Sequence, residues 1–362
     1  MNSKSRIMCC LTAFGVGLLL LGGCGDKTPS PKDVVSKELD YLVDGQTQSA
    51  RQMALLSEVV PADEKNEKTD EEIAQTLDLF FNNFAYKITD SQITDDKAIV
   101  DVSLTTIDAN AIAKDFISQS IVKQIHGSAS PSSVTYSSND YYHSLYMLLS
   151  SKVYPTTDST CPIHLTNHES GWQIDPEQNL EDILTGGFVS AVANPNLFTP
   201  EEIAKIYLDT IKTFDKEQMS QFLSLDSLFA SDVESKRAIS QSLTEQILKH
   251  FNYQIIDATI DGNEALVNAE ITSYDANNII QSFSEQMSEY TSTAQALADG
   301  SSGRLSKANR LLLNCINSNT STATTQVTLP LINDGISWKL KMDETLSQAI
   351  LGNVQDALAM HE

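Results

Sequence analysis

Apolar side chains recur along the chain with two different spacings, and the change from one to the other predicts the elements. Val34, Val35, Leu39 and Leu42 recur at helical spacing, which indicates an amphipathic helix. Over residues 98–104 apolar and polar residues alternate, as expected for a strand with one buried face. The pattern predicts helices, a hairpin, further helices, a second hairpin and a closing helix.

The same order of patterns occurs twice. Residues 84–119 align with residues 251–286, and 14 of these 36 positions are identical. The flanking segments match as well: 30–42 with 199–211, and 171–187 with 337–353. Because chance does not produce this many identities, the sequence predicts two tandem copies of one unit. The copies are expected at residues 31–193 and 199–360, joined by Asn194–Phe198.

Each predicted unit contains two hairpins. The first turns at Asp95-Asp96 in one copy and at Gly262-Asn263 in the other. The second covers residues 161–175 and 327–342. Hairpins separated by helices are typical of an α+β fold with antiparallel sheets rather than of parallel βαβ units.

The remaining segments are predicted from periodicity and composition. The helix before the first hairpin is expected to end at Phe84 and at Phe251, and one closing helix is expected over 180–192 and 346–358. Two segments are expected to be loops: the mixed charge run Asp63–Glu72 and the glycine-containing stretch Gly300–Gly303.

This order of elements resembles the cone-shaped NTF2-like class, in which helices pack into the concave face of a curved antiparallel sheet. A second pattern comprises Ala98, Val100, Asp108, Trp172, Leu184, Thr185, Gly186 and Gly187, and the second copy departs from it at Leu351, Gly352 and Asn353. In this pattern the chain is similar to Gram-positive lipoproteins that carry a domain of unknown function. The resemblance implies a duplicated, cone-like α+β fold and implies no activity.

The amino terminus has the features of an export signal. Lys4 and Arg6 precede the almost continuous apolar stretch Ile7–Leu21. A stretch of about 15 residues is shorter than the roughly 20 that a spanning helix needs. Residues 1–23 are therefore predicted to be a signal peptide that is removed.

Leu21-Gly22-Gly23-Cys24 resembles the lipobox of bacterial lipoproteins. The resemblance implies that the Cys24 thiol receives a diacylglyceryl group, that acyl chains such as palmitate hold the chain at the membrane, and that residues 24–30 form a tether. The alternative is an ordinary signal peptide cut near Gly23. No later segment has the length and apolarity of a span, so the body is expected on the extracytoplasmic face of the cell membrane.

The charge balance narrows the range of partners. The 362 residues carry 48 acidic and 24 basic side chains, and the mature chain from Cys24 has a net charge of −26. This excess argues against nucleic acid binding, which requires clustered Lys and Arg, and it repels anionic lipid headgroups. Solubility explains the acidity, and a cationic peptide or metal ion as partner is the alternative.

Three sets of residues have a chemistry that could form a site. Cys161, His164 and His168 have a zinc-like spacing, but on a strand Cys161 faces away from His164, so no metal site is expected. Ser120 and Lys123 form an S-x-x-K without the companion motifs of penicillin-recognising enzymes. A bridge between Cys161 and Cys315 stays an open alternative.

Polar and aromatic residues at equivalent positions of both copies are the candidates for a ligand cavity. They are Tyr86, Asp108, Asn110, Trp172, Tyr253, Asp275, Asn277 and Trp338. The aspartates precede helices, so we expect them to be helix caps. The alternative is that they act as an acid or base at the rim of a cavity. We expect the aromatic residues to belong to the hydrophobic core, and the alternative is that they line a cavity.

The sequence therefore predicts a lipid-anchored extracytoplasmic protein that binds or scaffolds rather than catalyses. We expect no cofactor, no nucleic acid, contact with the membrane through the lipid anchor only, and a protein or small-molecule partner of unknown identity. The alternatives are a small-molecule enzyme using Asp108 or Asp275, and a solute-binding lipoprotein of a transporter.

Overall fold

The computed structural model describes residues 29–43, 67–128, 138–175, 179–225, 233–341 and 343–361. The predicted signal peptide, Cys24, most of the tether and residues 63–66 of the charge run lie outside these segments. We use first half for the described residues up to 193 and second half for those from 199 onward.

The fold is α+β, with fourteen helices in the described residues and two four-stranded antiparallel sheets. The helices of the first half are α1 (Pro31–Val43), α2 (Glu67–Phe80), α3 (Ala109–Ser128), α4 (Ser138–Ser151), α5 (Leu180–Leu184) and α6 (Phe188–Val192). Those of the second half are α7 (Pro200–Lys212), α8 (Lys216–Phe222), α9 (Val233–His250), α10 (Ala276–Thr291), α11 (Ala294–Ala298), α12 (Gly300–Ser318), α13 (Glu344–Ile350) and α14 (Val354–His361). The strands are β1 (Ala85–Thr94), β2 (Lys97–Ile107), β3 (Thr156–His168), β4 (Gly171–Ile174), β5 (Asn252–Asp261), β6 (Glu264–Tyr274), β7 (Thr322–Asn333) and β8 (Trp338–Leu340).

The two sheets have the same strand order and the same register. The order is β1-β2-β3-β4 in one and β5-β6-β7-β8 in the other, with each strand paired to the next along the chain. Tyr86 lies opposite Leu104, as Tyr253 lies opposite Ile271. Both first hairpins also contain a bulge, between Ile88 and Asp90 and between Ile255 and Asp257. A bulge bends and twists a strand locally, so both sheets deviate from flatness at the same place.

One face of each sheet is buried beneath helices. The even positions of β2 and the odd positions of β6 are buried. The positions between them face water or are half-buried, except for Tyr274 at the end of β6, which is buried. The buried set is Ala98, Val100, Val102 and Leu104 in the first half, and Ala265, Val267, Ala269 and Ile271 in the second. Each half has its own hydrophobic cluster around this face.

Two expectations about helix boundaries are wrong. The helices before the first hairpins end at Phe80 and His250, not at Phe84 and Phe251. The described part of the charge run is not a loop, because α2 begins at Glu67. Leu77 and Phe80 on this helix are buried, so the mixed charges occupy the amino-terminal turns of an amphipathic helix.

The segment Gly300–Gly303 is also not a loop. It forms the first turn of α12, and only Gly300 departs from helical geometry, with φ of +61°. This one residue turns the chain between α11 and α12. A left-handed residue is sufficient to separate two helices without a longer linker.

The predicted closing helix is broken into two short helices in each half. Gly186, Gly187, Gly352 and Asn353 all have positive φ and stand between the two helices. A Cβ at Gly352 would lie 2.3 Å from the carbonyl oxygen of Tyr274, and one at Gly186 would lie 2.6 Å from Thr106 Oγ1. The break therefore brings the backbone into close contact with the end of the central strand, which only glycine permits.

The two halves contact each other through α3 and α7. Lys114 Nζ lies 2.7 Å from Glu202 Oε1 and 5.5 Å from the centre of the Phe198 ring. Ile125 of α3 is buried within the hydrophobic cluster of the second half. The linker is fixed as well, because Asn333 Nδ2 donates to the carbonyl of Pro195 at 3.0 Å. The contact thus combines apolar burial with polar bonds.

The close approach at Gly352 gives a testable prediction. Gly352→Ala should lower the free energy of unfolding by about 3 kcal/mol or more, because it adds a clash to the left-handed backbone strain. Gly262→Ala is the matched control, since Gly262 has φ of +59° and open space around its Cβ position. It should cost only about 1–2 kcal/mol. Equal losses in chemical denaturation would show that the contact with Tyr274 is unimportant.

Candidate functional site

The repeated aspartates lie at the corner where the central strand ends and a helix begins. Asp108 Oδ1 accepts from Ala111 N at 3.1 Å, and Asp275 Oδ1 accepts from Asn278 N at 3.0 Å. The backbone N–H of Asp108 donates to the Pro155 carbonyl, and the backbone N–H of Asp275 donates to the Ser321 carbonyl. Both carboxylates thus serve as helix N-caps, which stabilise a helix by about 1 kcal/mol.

The repeated tyrosines join the edge strand of each sheet to the first helix. The Tyr86 hydroxyl donates to Asp40 Oδ1 at 2.6 Å, and the Tyr253 hydroxyl donates to Asp209 Oδ1 at 2.5 Å. In both halves that helix crosses the first, second and fourth strands of its sheet. The tyrosines therefore hold the helix in place over the sheet.

Lys205 and Tyr253 together set the charge state of Asp209. Burial would raise the pKa of the Asp209 carboxyl, but hydrogen bonds from Lys205 and Tyr253 outweigh it and hold the pKa below its usual value. Burial, followed by the bond to Asp209, raises the pKa of the Tyr253 hydroxyl. The result is an ionised aspartate beside a neutral tyrosine.

The repeated tryptophans and asparagines lie elsewhere. Trp338 is buried in the core, whereas Trp172 is half-buried on the edge strand β4. Asn110 and Asn277 are exposed in the first turns of their helices. Of these aromatic residues, only Trp338 is fully buried.

The structure does not bring these eight residues together into two cavities. Trp172 lies opposite Asn167, just beyond Lys97, the first residue of β2. Asp108 lies at the other end of β2, directly after its last residue. The eleven residues of β2 span roughly 35 Å at about 3.3 Å per residue. The second half repeats this separation between Trp338 and Asp275. The expectation that these residues line shared ligand cavities is therefore corrected.

A small apolar cavity lies at a different place, between α2, α4 and the closing segment of the first half. Its volume is about 10 Å³, which accommodates about one water molecule. Its lining consists of Thr76, Leu77, Phe80, Phe81, Leu145, Thr185 and Phe188. None of the candidate residues contributes to it.

The structure also separates the residues within the zinc-like pattern and within the S-x-x-K pattern. Cys161 is buried and His164 is exposed, on opposite faces of β3. The described segments contain no group of three or more His, Cys, Asp or Glu side chains that could hold a metal ion. Ser120 Oγ donates to the Phe116 carbonyl, whereas Lys123 Nζ donates to Ser144 Oγ, so the serine and lysine bond to other residues.

The bridge between Cys161 and Cys315 is not formed. Both side chains are free thiols, and each is buried in the hydrophobic cluster of a different half. Burial raises the pKa of both thiols, which keeps them protonated and unreactive at neutral pH.

One charged cluster was not predicted from the sequence. Asp334 lies in the turn before β8, where its Oδ1 accepts from Ile336 N at 3.0 Å and from Ser337 N at 3.1 Å. Lys339 Nζ donates to the other carboxylate oxygen. The bond from Lys339, followed by the two backbone bonds, lowers the pKa of Asp334 to about 2. In the sequence, only the turn residues Asn333-Asp334-Gly335 indicated this cluster.

Comparisons with known proteins add one distant similarity. No protein-family model matches the chain, and no curated protein matches it. A solved structure with some likeness is that of YcdA from Bacillus subtilis subsp. subtilis str. 168, a protein inferred to be a lipoprotein. The two chains are 15% identical with a TM-score of 0.27, over 74% of this chain and 95% of YcdA.

The described residues include no helix with the length and apolarity that crossing a bilayer requires.

The cap geometry predicts the effect of removing the repeated aspartate. Asp275→Ala should lower the free energy of unfolding by about 1 kcal/mol, because the N–H of Asn278 loses its acceptor. Asp275→Asn should retain most of the stability, since an amide oxygen also caps helices. The measurement is a urea titration. A stability unchanged in Asp275→Ala would refute the capping role and favour a functional carboxylate.

The turn at Asp334 predicts a pH dependence. Because its folded pKa is lowered to about 2, its contacts stabilise the fold above about pH 4 and lose their effect as the pH falls toward about 2. Asp334→Asn should therefore lose less stability over this range than the unmodified protein. Asp261→Asn, at an exposed position of the other hairpin, is the control. Parallel pH profiles for Asp334→Asn and the unmodified protein would contradict the assignment.

Proposed function

We propose that this protein is a lipid-anchored extracytoplasmic lipoprotein that acts as a binding or scaffolding module. The observation that carries the proposal is the Leu21-Gly22-Gly23-Cys24 sequence after a basic and apolar signal segment. Only six residues separate Cys24 from Pro31, the first residue of α1. A tether of that length keeps α1 within about 25 Å of the membrane at about 3.5 Å per residue.

We also propose that the body consists of two copies of one NTF2-like unit, residues 31–193 and 199–360. The aligned sequences, the equal strand order and the equally placed bulges support this division. The first helix crosses the same three strands in each half, and the tyrosine–aspartate bond recurs there. Equivalent contacts at equivalent positions are the expected result of a duplicated unit.

The polar residues that suggested chemistry support a non-catalytic function. Asp108 and Asp275 already accept backbone N–H groups, and the Tyr86 and Tyr253 hydroxyls already donate to carboxylates. A catalytic acid or base must instead be directed at a substrate within hydrogen-bond reach. These side chains support the fold, so we propose that the outer surfaces of the two units provide the function.

The two alternatives have less support. An enzyme using Asp108 or Asp275 would need the carboxylate at a cavity with an aromatic lining, and the tryptophans lie at the opposite end of the sheet. A solute-binding protein of a transporter needs two parallel-sheet lobes with a cleft between them. Both sheets here are antiparallel.

The anchor is tested by substitution at the proposed acylation site. Cys24→Ala should move the protein from the membrane fraction to the soluble fraction, because the two or more acyl chains provide stable anchoring. Cys10→Ala, within the same signal segment, is the matched control and should leave the protein in the membrane fraction. Retention of Cys24→Ala in the membrane fraction, by fractionation and immunoblotting, would disprove lipid anchoring at this residue.

A further inference from the structure

The second half contains a helical arm with its own small apolar cluster. The arm consists of α10, α11 and α12, and the cluster of Tyr290, Ala296 and Leu311 lies apart from the two main clusters. Phe283 and Met287 pack against this cluster from α10. The end of the arm, residues 291–310, is here called the arm corner.

Polar bonds hold the arm corner in a defined shape. The Tyr290 hydroxyl donates to Asp299 Oδ2 at 2.7 Å, and Gln295 Nε2 donates to Asp299 Oδ1 at 2.6 Å. Thr293 caps α11, and Arg304 Nη1 donates to the Ala296 carbonyl at 3.3 Å. The bond from Arg304 brings α11 against the first turns of α12. The corner is thus folded without burying every apolar side chain in it.

Two leucines of the arm corner are left facing water. Leu297 is 81% exposed and Leu305 is 57% exposed. They are next in sequence to Ala296 and Arg304, the two residues joined by the hydrogen bond, so both leucines lie within the arm corner. Leu297 and Leu305 therefore give this ordered corner two exposed apolar side chains, a feature of surfaces that meet an apolar partner.

The charge of the arm corner differs from that of the chain. It contains three basic residues, Arg304, Lys307 and Arg310, against one acid, Asp299, whereas the whole chain has a net charge of −24. Lys307 Nζ lies 5.7 Å from the centre of the Tyr290 ring. The rest of the arm adds Glu285 and Glu289 on α10, so the positive charge is confined to the corner. A corner that is basic and leucine-bearing matches an anionic, apolar surface.

We propose that the arm corner is a second membrane contact, in which Leu297 and Leu305 enter the headgroup region of an anionic lipid bilayer while Arg304, Lys307 and Arg310 face lipid phosphates. Interfacial segments bind in this way, through apolar side chains buried at the acyl boundary and basic side chains near anionic headgroups. The proposal rests on the membrane anchoring proposed above, which places the body within reach of the bilayer. It replaces the expectation that the lipid anchor is the only contact with the membrane.

The experiment uses the full lipidated chain in vesicles, with an environment-sensitive dye on a single introduced cysteine. Cys161 and Cys315 are buried, so dye attaches selectively at Leu297→Cys in the folded protein. The dye emission should shift to shorter wavelength in phosphatidylcholine vesicles containing phosphatidylglycerol. Val153→Cys, at a position that is 90% exposed in the first half, is the control and should show no shift.

A charge variant tests the lipid specificity. Arg310→Glu in the Leu297→Cys background should reduce the shift in anionic vesicles, and Arg237→Glu, at an exposed position on α9, should not. Equal emission at positions 297 and 153 in vesicle-bound protein would overturn the membrane contact. A shift without vesicles that grows with protein concentration would also overturn it, because a second copy would then cover the corner.

The test separates failure of the arm contact from failure of the anchor. The same labelled variants are also attached through a histidine tag in place of Cys24 to vesicles with nickel-chelating lipid, so that the corner is examined without acylation. A dye shift on these vesicles, with no native membrane attachment in cells, supports the corner and refutes the anchor. Absence of the shift on both kinds of vesicle refutes the corner, whatever fractionation shows.

Discussion

Both sheets have one apolar face, and the need to bury that face is the constraint on which the rest of the structure depends. Val100 and Val102, like Val267 and Ala269, are completely shielded by the helices that pack over β2 and β6. Burying a valine or leucine side chain stabilises a fold by about 1.5–3 kcal/mol, so a row of such residues fixes which face turns inward. Since a shift of one residue would expose the whole row, the alternation also fixes the register. The tyrosine–aspartate bonds and the glycine contacts then position the helices that form the cover.

The contact between the halves depends on residues that differ between them. Ile117, Ile121 and Ile125 of α3 pack against the cluster of the second half. The positions 167 residues later are Ser284 and Ser288 on α10 and Ser292 directly after it. This helix face is therefore apolar where the second half covers it, and the corresponding positions of the second half are polar.

The strands and hairpins were predictable, because alternation and turn residues are local signals that the sheet pairing reinforces. The break in the closing helix was not, since the apolar spacing at 180, 184 and 188 continues through the glycines. Its cause is the contact of Gly352 with Tyr274, which is distant in sequence. We expected loops at Gly300–Gly303 and in the charge run, and the structure has helix there. In both segments tertiary packing overrides the loop preference of the local composition. The grouping of the candidate residues could not be predicted for a geometric reason. Residues at corresponding positions of the two halves need not be near one another, and a strand of eleven residues separates its two ends by more than any side chain can reach.

The central claim is that both halves bury an equivalent sheet face and are stable for the same reason. Hydrogen exchange of backbone amides, followed by mass spectrometry, tests it most directly. The account predicts that the ladders β2–β3 and β6–β7 contain the slowest-exchanging amides of their halves, with faster exchange at the unpaired edges of β1 and β5. Rapid exchange throughout one of these two central ladders, with protection of the other, would contradict it.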